Sequence, residues 1–251
     1  MTAPIREGCE PLSVDGGPTG VLVLHGFTGS PFSVRGITEQ MANAGMSVEM
    51  PLLAGHGTVI EDMLDTRFAD WVNSAEAAFE SLAARTERVI VVGLSMGGTL
   101  TCLLAERHPE IAGIVLVNPL VEPQSPEMID GIQALIDGNV EVVDGIGSDI
   151  ARPDTEERSY PGTPTRALLS LFAGVAEVAG DLGRISCPVL LFSSLEDHVV
   201  PPSNGDYVVA QVSGPIERVI CAKSFHVATL DYDAAMIEAQ SVAFVERVAT
   251  S

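Results

Sequence analysis

The sequence predicts an α/β protein with a mainly parallel β-sheet that helices cover on both faces. First, short continuous apolar runs alternate with longer amphipathic stretches along the chain. Second, 46% of the 251 residues are hydrophobic and 19% are charged, which is typical of a globular protein with one sizeable core. Third, one apolar run leads through a glycine-flanked serine directly into a helical pattern.

The individual elements follow from hydrophobic periodicity. Short apolar runs bounded by turn residues indicate strands that are buried on both faces. These predicted strands cover residues 20–24, 46–50, 89–92, 114–117, 189–192 and 219–220. Stretches with apolar residues along one face indicate helices that pack on the sheet. These predicted helices cover residues 33–44, 70–85, 96–107 and 232–248.

The alternation of strands and helices stops between residues 119 and 164, a stretch with six prolines and one amphipathic helix. Ser125 suits the cap of this helix, Pro126 its first turn and Gly138 its end. We therefore expect residues 119–164 to form a small insertion over the carboxyl edge of the sheet, and residues 1–118 and 165–251 to form the core. Ten acidic residues and two arginines make residues 120–165 strongly acidic.

The charge balance limits the possible partners. The chain has 13 basic and 34 acidic residues, which gives a net charge of −21. Such a surface repels nucleic acids and anionic lipid surfaces, so the sequence predicts neither as a partner. The four cysteines show no C-x-x-C spacing and are expected to be reduced packing thiols. The first 20 residues do not resemble a signal peptide, and the most apolar stretch, residues 167–179, is too short to span a bilayer. A cytoplasmic protein without stable membrane insertion is the expectation.

The motif G-x-S-x-G at residues 93–97 lies between a predicted buried strand and a predicted helix. In this setting the serine occupies a tight turn, where a side chain at either flanking position would collide with the crossing backbone. The turn exposes the hydroxyl of Ser95 above the sheet, close to a helix N-terminus that favours developing negative charge. Ser95 is the candidate nucleophile.

A serine hydroxyl needs an adjacent base, and the base needs a group that orients it. In this type of sheet the order along the chain is nucleophile, acid and histidine. Either Asp197 or Glu196, which follow a predicted strand, is the candidate acid. His226 follows the last predicted strand and is the candidate base. The four remaining histidines, and Asp231 before the last helix, are interpreted as structural, turn or capping residues; those histidines are His25, His56, His108 and His198.

The tetrahedral intermediate of acyl transfer needs two hydrogen-bond donors for its oxyanion. One is normally the backbone N–H of the residue after the nucleophile, which is Met96. The other comes from the loop after an early strand, and Phe27 in the segment His25-Gly26-Phe27-Thr28-Gly29 is the candidate.

With these motifs the chain resembles the α/β-hydrolase family, and within it the bacterial carboxylesterase and monoacylglycerol lipase group. The resemblance covers nearly the whole chain and includes the segments 25–29, 55–57, 93–99, 196–202 and 226–233, together with 146–149, 153–154 and 163–165 of the insertion. It implies the α/β-hydrolase fold with a small cap, formed by residues 119–164, over an acyl pocket. It also implies Ser95, Asp197 and His226 as the triad and Phe27 and Met96 as oxyanion donors. Glu157 matches a position that holds the glycerol end of the substrate, and Ile146 matches an acyl contact.

The expected function is hydrolysis of a neutral carboxylic ester, monoacylglycerol above all, with no metal or organic cofactor. The closest alternative is a general short-chain carboxylesterase, followed by a thioesterase, an amidase or a hydrolase of carbon–carbon bonds. Dehalogenase and epoxide hydrolase chemistry is disfavoured because those enzymes have an aspartate where Ser95 stands. A non-catalytic small-molecule binder is the alternative from another class. Transient contact with lipid surfaces through apolar cap residues is compatible with the sequence, which leaves the oligomeric state open.

Overall fold

The computed structural model describes residues 3–145 and 147–250. At its centre lies a seven-stranded sheet with the strand order β1-β3-β2-β4-β5-β8-β9. Its strands are β1 (Leu12–Val14), β2 (Thr19–Leu24), β3 (Ser47–Met50), β4 (Arg88–Leu94), β5 (Gly113–Val117), β8 (Val189–Ser194) and β9 (Ile216–Cys221). Only β1 pairs antiparallel, with β3, and the other neighbours pair in parallel. The predicted α/β class with a mainly parallel sheet is confirmed.

Helices cover both faces of this sheet. They are α1 (Arg35–Asn43), α2 (Glu61–Leu64), α3 (Phe68–Ala83), α4 (Met96–Arg107), α5 (Pro126–Asp137), α6 (Thr165–Asp181), α7 (Ser203–Gln211) and α8 (Ala234–Ala249). Because successive side chains of a strand point to opposite faces, the central strands β2, β4, β5 and β8 contribute to two separate cores. Leu22 and Val91 pack in one core with residues of α3, α4 and α6. Val21 and Ile90 pack in the other with residues of α1 and α8.

The segment between β5 and α6 carries the predicted insertion. Its helix α5 begins and ends as expected: the hydroxyl of Ser125 accepts a hydrogen bond from the N–H of Met128, and the helix ends before Gly138. Ile132 and Ile136 of α5 form a small cluster with Phe172 of α6, apart from the two main cores. The strands β6 (Val142–Asp144) and β7 (Gly162–Pro164) pair antiparallel in a sheet of their own. The division into core and cap at residues 119 and 164 stays a prediction.

The sequence pattern does not predict six of these strands and helices: β1, α2, β6, β7, α6 and α7. The strand β1 has three residues, too few for a recognisable alternation pattern. The apolar stretch 167–179 lies within the helix α6, which buries one face against α4 and α5. The helix α7 follows two prolines and has a polar first turn, which obscures its periodicity. All four cysteines are free thiols, and three of them are buried. Within the described residues, no helix is both long enough and apolar enough to cross a membrane.

The helix α4 carries a buried acid, Glu106, in its last turn. Glu106 is 5% exposed, and its Oε1 has no hydrogen-bond partner among the described residues. Burial, followed by the charges of Asp181 and Glu177, raises the pKa of Glu106 to about 8, against the opposing effect of Arg184 and Arg107. The carboxyl group is therefore protonated in the folded protein at neutral pH.

Glu106→Gln is expected to flatten the pH dependence of stability. The folded pKa is raised from 4.5 to about 8, so the folded state binds a proton more tightly than the unfolded state. The stabilisation linked to this proton is complete below about pH 4.5 and is lost as the pH rises through about 8. Urea unfolding measures the free energy of unfolding of both proteins between about pH 5 and 9. Relative to the wild type, this free energy should rise for the variant by a few kcal/mol from the acidic to the alkaline end. Glu80→Gln, an exposed site on α3, is the control, and parallel curves for Glu106→Gln and wild type would contradict the expectation.

Candidate active site

The turn between β4 and α4 places Ser95 at the carboxyl edge of the sheet. Ser95 has a φ of 56°, in the left-handed region that a non-glycine residue adopts rarely. A Cβ on Gly97 would lie 2.1 Å from the carbonyl oxygen of Leu24, and a Cβ on Gly93 would lie 2.1 Å from the carbonyl oxygen of Gly97. Both contacts are with backbone atoms, so only glycine fits at the two positions. The Ser95 N–H donates to the carbonyl of Val117 on the neighbouring strand β5 (3.0 Å), which fixes the turn.

The predicted acid and base form a direct pair. His226 Nδ1 donates to Asp197 Oδ2 at 2.7 Å, and the side chains are 7% and 1% exposed. The second oxygen, Asp197 Oδ1, accepts from the N–H groups of Val199 (2.9 Å) and Val200 (2.7 Å). Of the two acids that the sequence left open, Asp197 makes this contact, whereas Glu196 is exposed to solvent. The Asp197 bond defines the tautomer of His226, with the proton on Nδ1 and the lone pair on Nε2.

Ser95 and His226 line one cavity of about 310 Å³. Ser95 is 7% exposed, and among the described residues its hydroxyl makes no hydrogen bond, including none to His226. Hydrogen bonds between a nucleophile and its base are often long in the absence of substrate and tighten in the complex. The two side chains thus share a cavity, and no competing partner holds the hydroxyl.

The loop after β2 approaches the same serine. A Cβ built on Gly26 would lie 3.4 Å from Ser95 Cβ and 3.8 Å from Ser95 Oγ, so the loop backbone passes beside the hydroxyl. Phe27 and Ser95 line the same cavity. Within the described part of the chain, neither the Phe27 N–H nor the Met96 N–H donates to a protein acceptor. Two unpaired backbone donors beside a serine hydroxyl are what an oxyanion requires.

Two buried neutral histidines support this loop. His25 Nδ1 donates to the carbonyl of Gly26 (3.0 Å), and His25 Nε2 accepts from the N–H of Leu53 (3.2 Å). Burial, and then the neighbouring His56, lowers the pKa of His25 to about 3, so the ring stays uncharged. Burial lowers the pKa of His56 to about 4. Its ring lies edge-on to Trp71, which in turn contacts Phe27 with ring centroids 5.4 Å apart. The structural interpretation of both histidines is confirmed.

Sequence reasoning missed Asn118, which ties the loop after β9 that carries His226 (the base loop, residues 222–227) to the sheet. Asn118 directly follows β5 and has a φ of 43°. Its Nδ2 donates to the carbonyl of His226 (2.7 Å) and to Ser194 Oγ (2.9 Å), and its Oδ1 accepts from the N–H of Ser194 (2.8 Å). An asparagine directly after a buried strand is a signal for such a role, because asparagine tolerates positive φ and carries both a donor and an acceptor.

The rest of the cavity combines an apolar wall with acidic side chains, namely Asp144, Asp149 and Glu157. Apolar residues from the core and from the insertion form this wall: Leu120, Met128, Val143, Leu168, Leu171 and Phe172. Glu157 lines the same cavity, and its Oε1 would lie 2.8 Å from a Cβ on Gly29. Burial raises the pKa of Glu157 to about 7, while His226 and the Ser33 hydroxyl oppose the rise. Ile146, the predicted acyl contact, lies outside the described residues.

Comparison with known proteins assigns the chain to a family. A family model described as serine aminopeptidase, S33, matches residues 19–143. A thermostable monoacylglycerol lipase from a Bacillus species is 46% identical over 245 residues, which cover 96% of this chain and 96% of that protein.

The chain belongs to the α/β-hydrolase family.

Other relatives agree with this membership. A carboxylesterase from Bacillus subtilis is 26% identical over 242 residues, or 95% of this chain and 97% of that enzyme. A structure from work on the metagenome-derived lipolytic enzymes LipS and LipT superposes with a TM-score of 0.93 at 39% identity, over 97% of this chain and all of that chain. A monoacylglycerol lipase from Paleococcus ferrophilus shares the fold, with a TM-score of 0.74 at 18% identity over 96% of this chain and 100% of that one.

Gly97→Ala is expected to destabilise this α/β hydrolase by at least about 3 kcal/mol or to prevent folding, because the new methyl group meets the backbone of β2, which cannot give way. Gly131→Ala is the matched control: a Cβ at this position in α5 meets nothing within 4 Å. It should stabilise the protein by up to about 1 kcal/mol through higher helix propensity. Thermal and urea unfolding of both variants provide the comparison. A Gly97→Ala protein as stable as the wild type would show that the crossing of β2 and α4 is looser than described.

Proposed function

We propose that this protein is a serine hydrolase that cleaves carboxylic esters, monoacylglycerols foremost, through an acyl-enzyme intermediate. The observation that carries the proposal is the hydrogen-bonded pair of Asp197 and His226 in one cavity with the unpaired hydroxyl of Ser95. The relatives that match nearly the whole chain are named for monoacylglycerol lipase and carboxylesterase activity. The fold alone would not decide the reaction, since many activities share it.

In the proposed mechanism, His226 Nε2 takes the proton of Ser95 Oγ as the hydroxyl attacks the ester carbonyl. Asp197, fixed by two backbone N–H groups, keeps the second ring nitrogen protonated and stabilises the imidazolium that forms. The imidazolium then protonates the leaving alcohol. His226 finally activates a water molecule, which hydrolyses the acyl-enzyme and releases the acid.

We assign the oxyanion of both tetrahedral intermediates to the N–H groups of Phe27 and Met96. Removal of one such donor has cost about 3 to 4 kcal/mol of transition-state stabilisation in other enzymes. Since burial keeps His25 and His56 neutral, they hold the Phe27 loop without a change of charge near neutral pH. The loop geometry should therefore be constant across the physiological pH range.

We propose residues 119–164 as a cap that covers an acyl pocket. The apolar wall of the cavity suits a fatty acyl chain, and the volume of about 310 Å³ lies at the small end of ligand pockets. The acidic insertion disfavours anionic substrates and would help to expel a fatty-acid product. The enclosed carboxyl of Glu157 can accept hydrogen bonds from the two free hydroxyls of a monoglyceride, which a triglyceride lacks.

A general short-chain carboxylesterase is the second candidate, favoured by the match to the enzyme from Bacillus subtilis. Transient contact with lipid surfaces has support in the exposed apolar side chains of the proposed cap. Met128 is 50% exposed, Val142 37% and Val140 36%. A cytoplasmic location remains a prediction from the sequence.

The principal test is a hydrolysis profile over monoglycerides and simple esters of graded chain length, with a fluorophosphonate reagent that labels active serines. The wild type should hydrolyse monoglycerides with a higher kcat/KM than simple esters of equal size, and Ser95→Ala should lose both hydrolysis and labelling. Asp197→Asn should retain the fold and lose about 10⁴-fold in kcat, because the ring tautomer is then wrong. Preference for short simple esters would favour the carboxylesterase, and a wild type that neither labels nor hydrolyses would refute the proposal.

Glu157→Ala is expected to lower kcat/KM for a monoglyceride about tenfold or more, since hydrogen bonds to a carboxylate are worth about 1.5 to 3 kcal/mol. A simple ester of matched size should lose far less, because it lacks the two hydroxyls. Glu156→Ala, at the exposed neighbouring position, should leave both substrates unchanged. Equal losses on the two substrates would remove the head-group role from Glu157.

A further inference from the structure

We propose that Asp149, in the insertion, is a positioning residue for the catalytic base and acid. The proposal rests on the function proposed above. Asp149 belongs to the insertion, yet its contacts are with the two core loops that carry Asp197 and His226. The consequence is that the insertion forms part of the support of the catalytic machinery as well as a wall of the substrate cavity.

One carboxylate oxygen bridges the two catalytic loops. Asp149 Oδ2 accepts from the N–H of His226 at 3.0 Å and from the N–H of His198 at 3.1 Å. His198 directly follows Asp197 in the loop after β8 (the acid loop, residues 195–202). This single oxygen atom therefore joins the acid loop to the base loop and fixes the spacing between them. Asp149 Oδ1 pairs with His198 Nδ1 at 2.8 Å. The Asp149 side chain is 12% exposed, which limits the water available to replace these bonds.

Two consecutive backbone amides of the loop that carries His226 donate to Asp149, and the amide before them donates to Asp231 of the core. The N–H of His226 donates to the side chain of Asp149, and the N–H of Val227 donates to its carbonyl at 3.1 Å. The N–H of Phe225 donates to Asp231 Oδ2 at 2.9 Å. That oxygen also accepts from the N–H of Ala151 at 2.7 Å.

Two carboxylates therefore join the insertion and the base loop, one from each side. Asp149 reaches from the insertion to the base loop, and Asp231 reaches from the core back to the insertion, where its Oδ1 also accepts from the N–H of Arg152 at 3.1 Å. Asp231 is 1% exposed. Hydrogen bonds to an ionised acceptor are about twice as strong as neutral ones, and a buried donor that loses its acceptor carries the full cost of desolvation.

The His198 ring adds a second contact to the same arrangement. It lies edge-on to the ring of Phe225, with centroids 4.6 Å apart, so it spans the acid loop and the base loop. The adjacent Asp149, with smaller contributions from Asp197 and Glu196, raises the pKa of His198. The contact with Asp149 favours the protonated form of the ring, although the exposed ring contributes less than the backbone amides do.

A substrate-contact role and a positioning role for Asp149 predict different effects of its substitution on kcat and KM. Asp149 also lines the cavity, so it is placed to touch a bulky ester. A substrate contact would affect large esters selectively and act mainly on KM. A positioning residue would lower kcat for every ester by a similar factor, because a misplacement of about 1 Å at a catalytic group can cost about 100-fold.

The experiment measures kcat and KM of the wild type and Asp149→Asn on a monoglyceride and on a minimal acetate ester too small to reach the insertion. The rate of fluorophosphonate labelling reports the reactivity of Ser95 without substrate recognition. We expect Asp149→Asn to lower kcat on both esters and the labelling rate by a common factor of about 10 to 100, with KM changed less than about threefold. Asp149→Glu, which retains the carboxylate, should recover a large part of the loss. Asp137→Asn, on the exposed side of α5, should behave as the wild type does.

The imidazole N–H proton of His226 gives a readout that does not need esterase activity. In the wild type its bond to Asp197 should produce a far-downfield proton resonance, and in Asp149→Asn this signal should shift or broaden while circular dichroism stays unchanged. If Asp149→Asn fails to fold, the same measurements on Asp149→Glu decide, with a displaced resonance and a kcat below wild type as the expected result. An unchanged resonance, or a loss confined to KM of the long ester, would overturn the proposal. A wild type inactive on all esters but with a resonance sensitive to Asp149 would refute the proposed function alone.

Discussion

The crossing of β2 and α4 is the constraint on which the site depends. Gly97 lets the backbone of α4 pass within contact distance of the Leu24 and His25 carbonyls at the end of β2. That close approach brings the loop 25–29, which follows β2, against Ser95 on the other side of the crossing. It also leaves Ser95 with a φ of 56°, a strained conformation that the packing on both sides must maintain. The candidate nucleophile and the proposed oxyanion donors are therefore positioned by one backbone contact.

Most of the fold and the chemically reactive residues could be predicted from the sequence, because parallel strands order the chain in space. Residues that follow the carboxyl ends of β2, β4, β8 and β9 meet at one edge of the sheet. Phe27, Ser95, Asp197 and His226 all occupy such positions, so their order along the chain carried information on their proximity. The helix α5 was also predictable, since Ser125, Pro126 and Gly138 are local signals that need no tertiary context.

The supporting residues could not be predicted in the same way. The choice between Asp197 and Glu196 depends on which side chain turns towards His226, and two adjacent acids in a loop give no pattern that decides it. Asp231 was interpreted as a cap or turn residue, although its carboxylate joins residues 151 and 225. Asp149 lies in an irregular segment without periodicity. These carboxylates bind backbone N–H groups, which every residue except proline carries. The sequence therefore does not show which N–H groups they bind.

Two parts of the segment between β5 and α6 are attached to the rest of the protein by different sets of interactions. The helix α5 rests on α6 through a small apolar cluster of Ile132, Ile136 and Phe172. Residues 149–152 combine the apolar packing of Ile150 against the core beside α1 and α8 with directional hydrogen bonds to Asp231 and to the loop of His226. Apolar contacts tolerate small displacements, whereas a hydrogen bond weakens steeply with distance and angle. The wall of the cavity is therefore expected to be more adaptable along α5 than beside His226. Among the described residues no hydrogen bond joins α5 to the loop of Asp197 or to the loop of His226, so a displacement of α5 would leave the bond between their side chains intact.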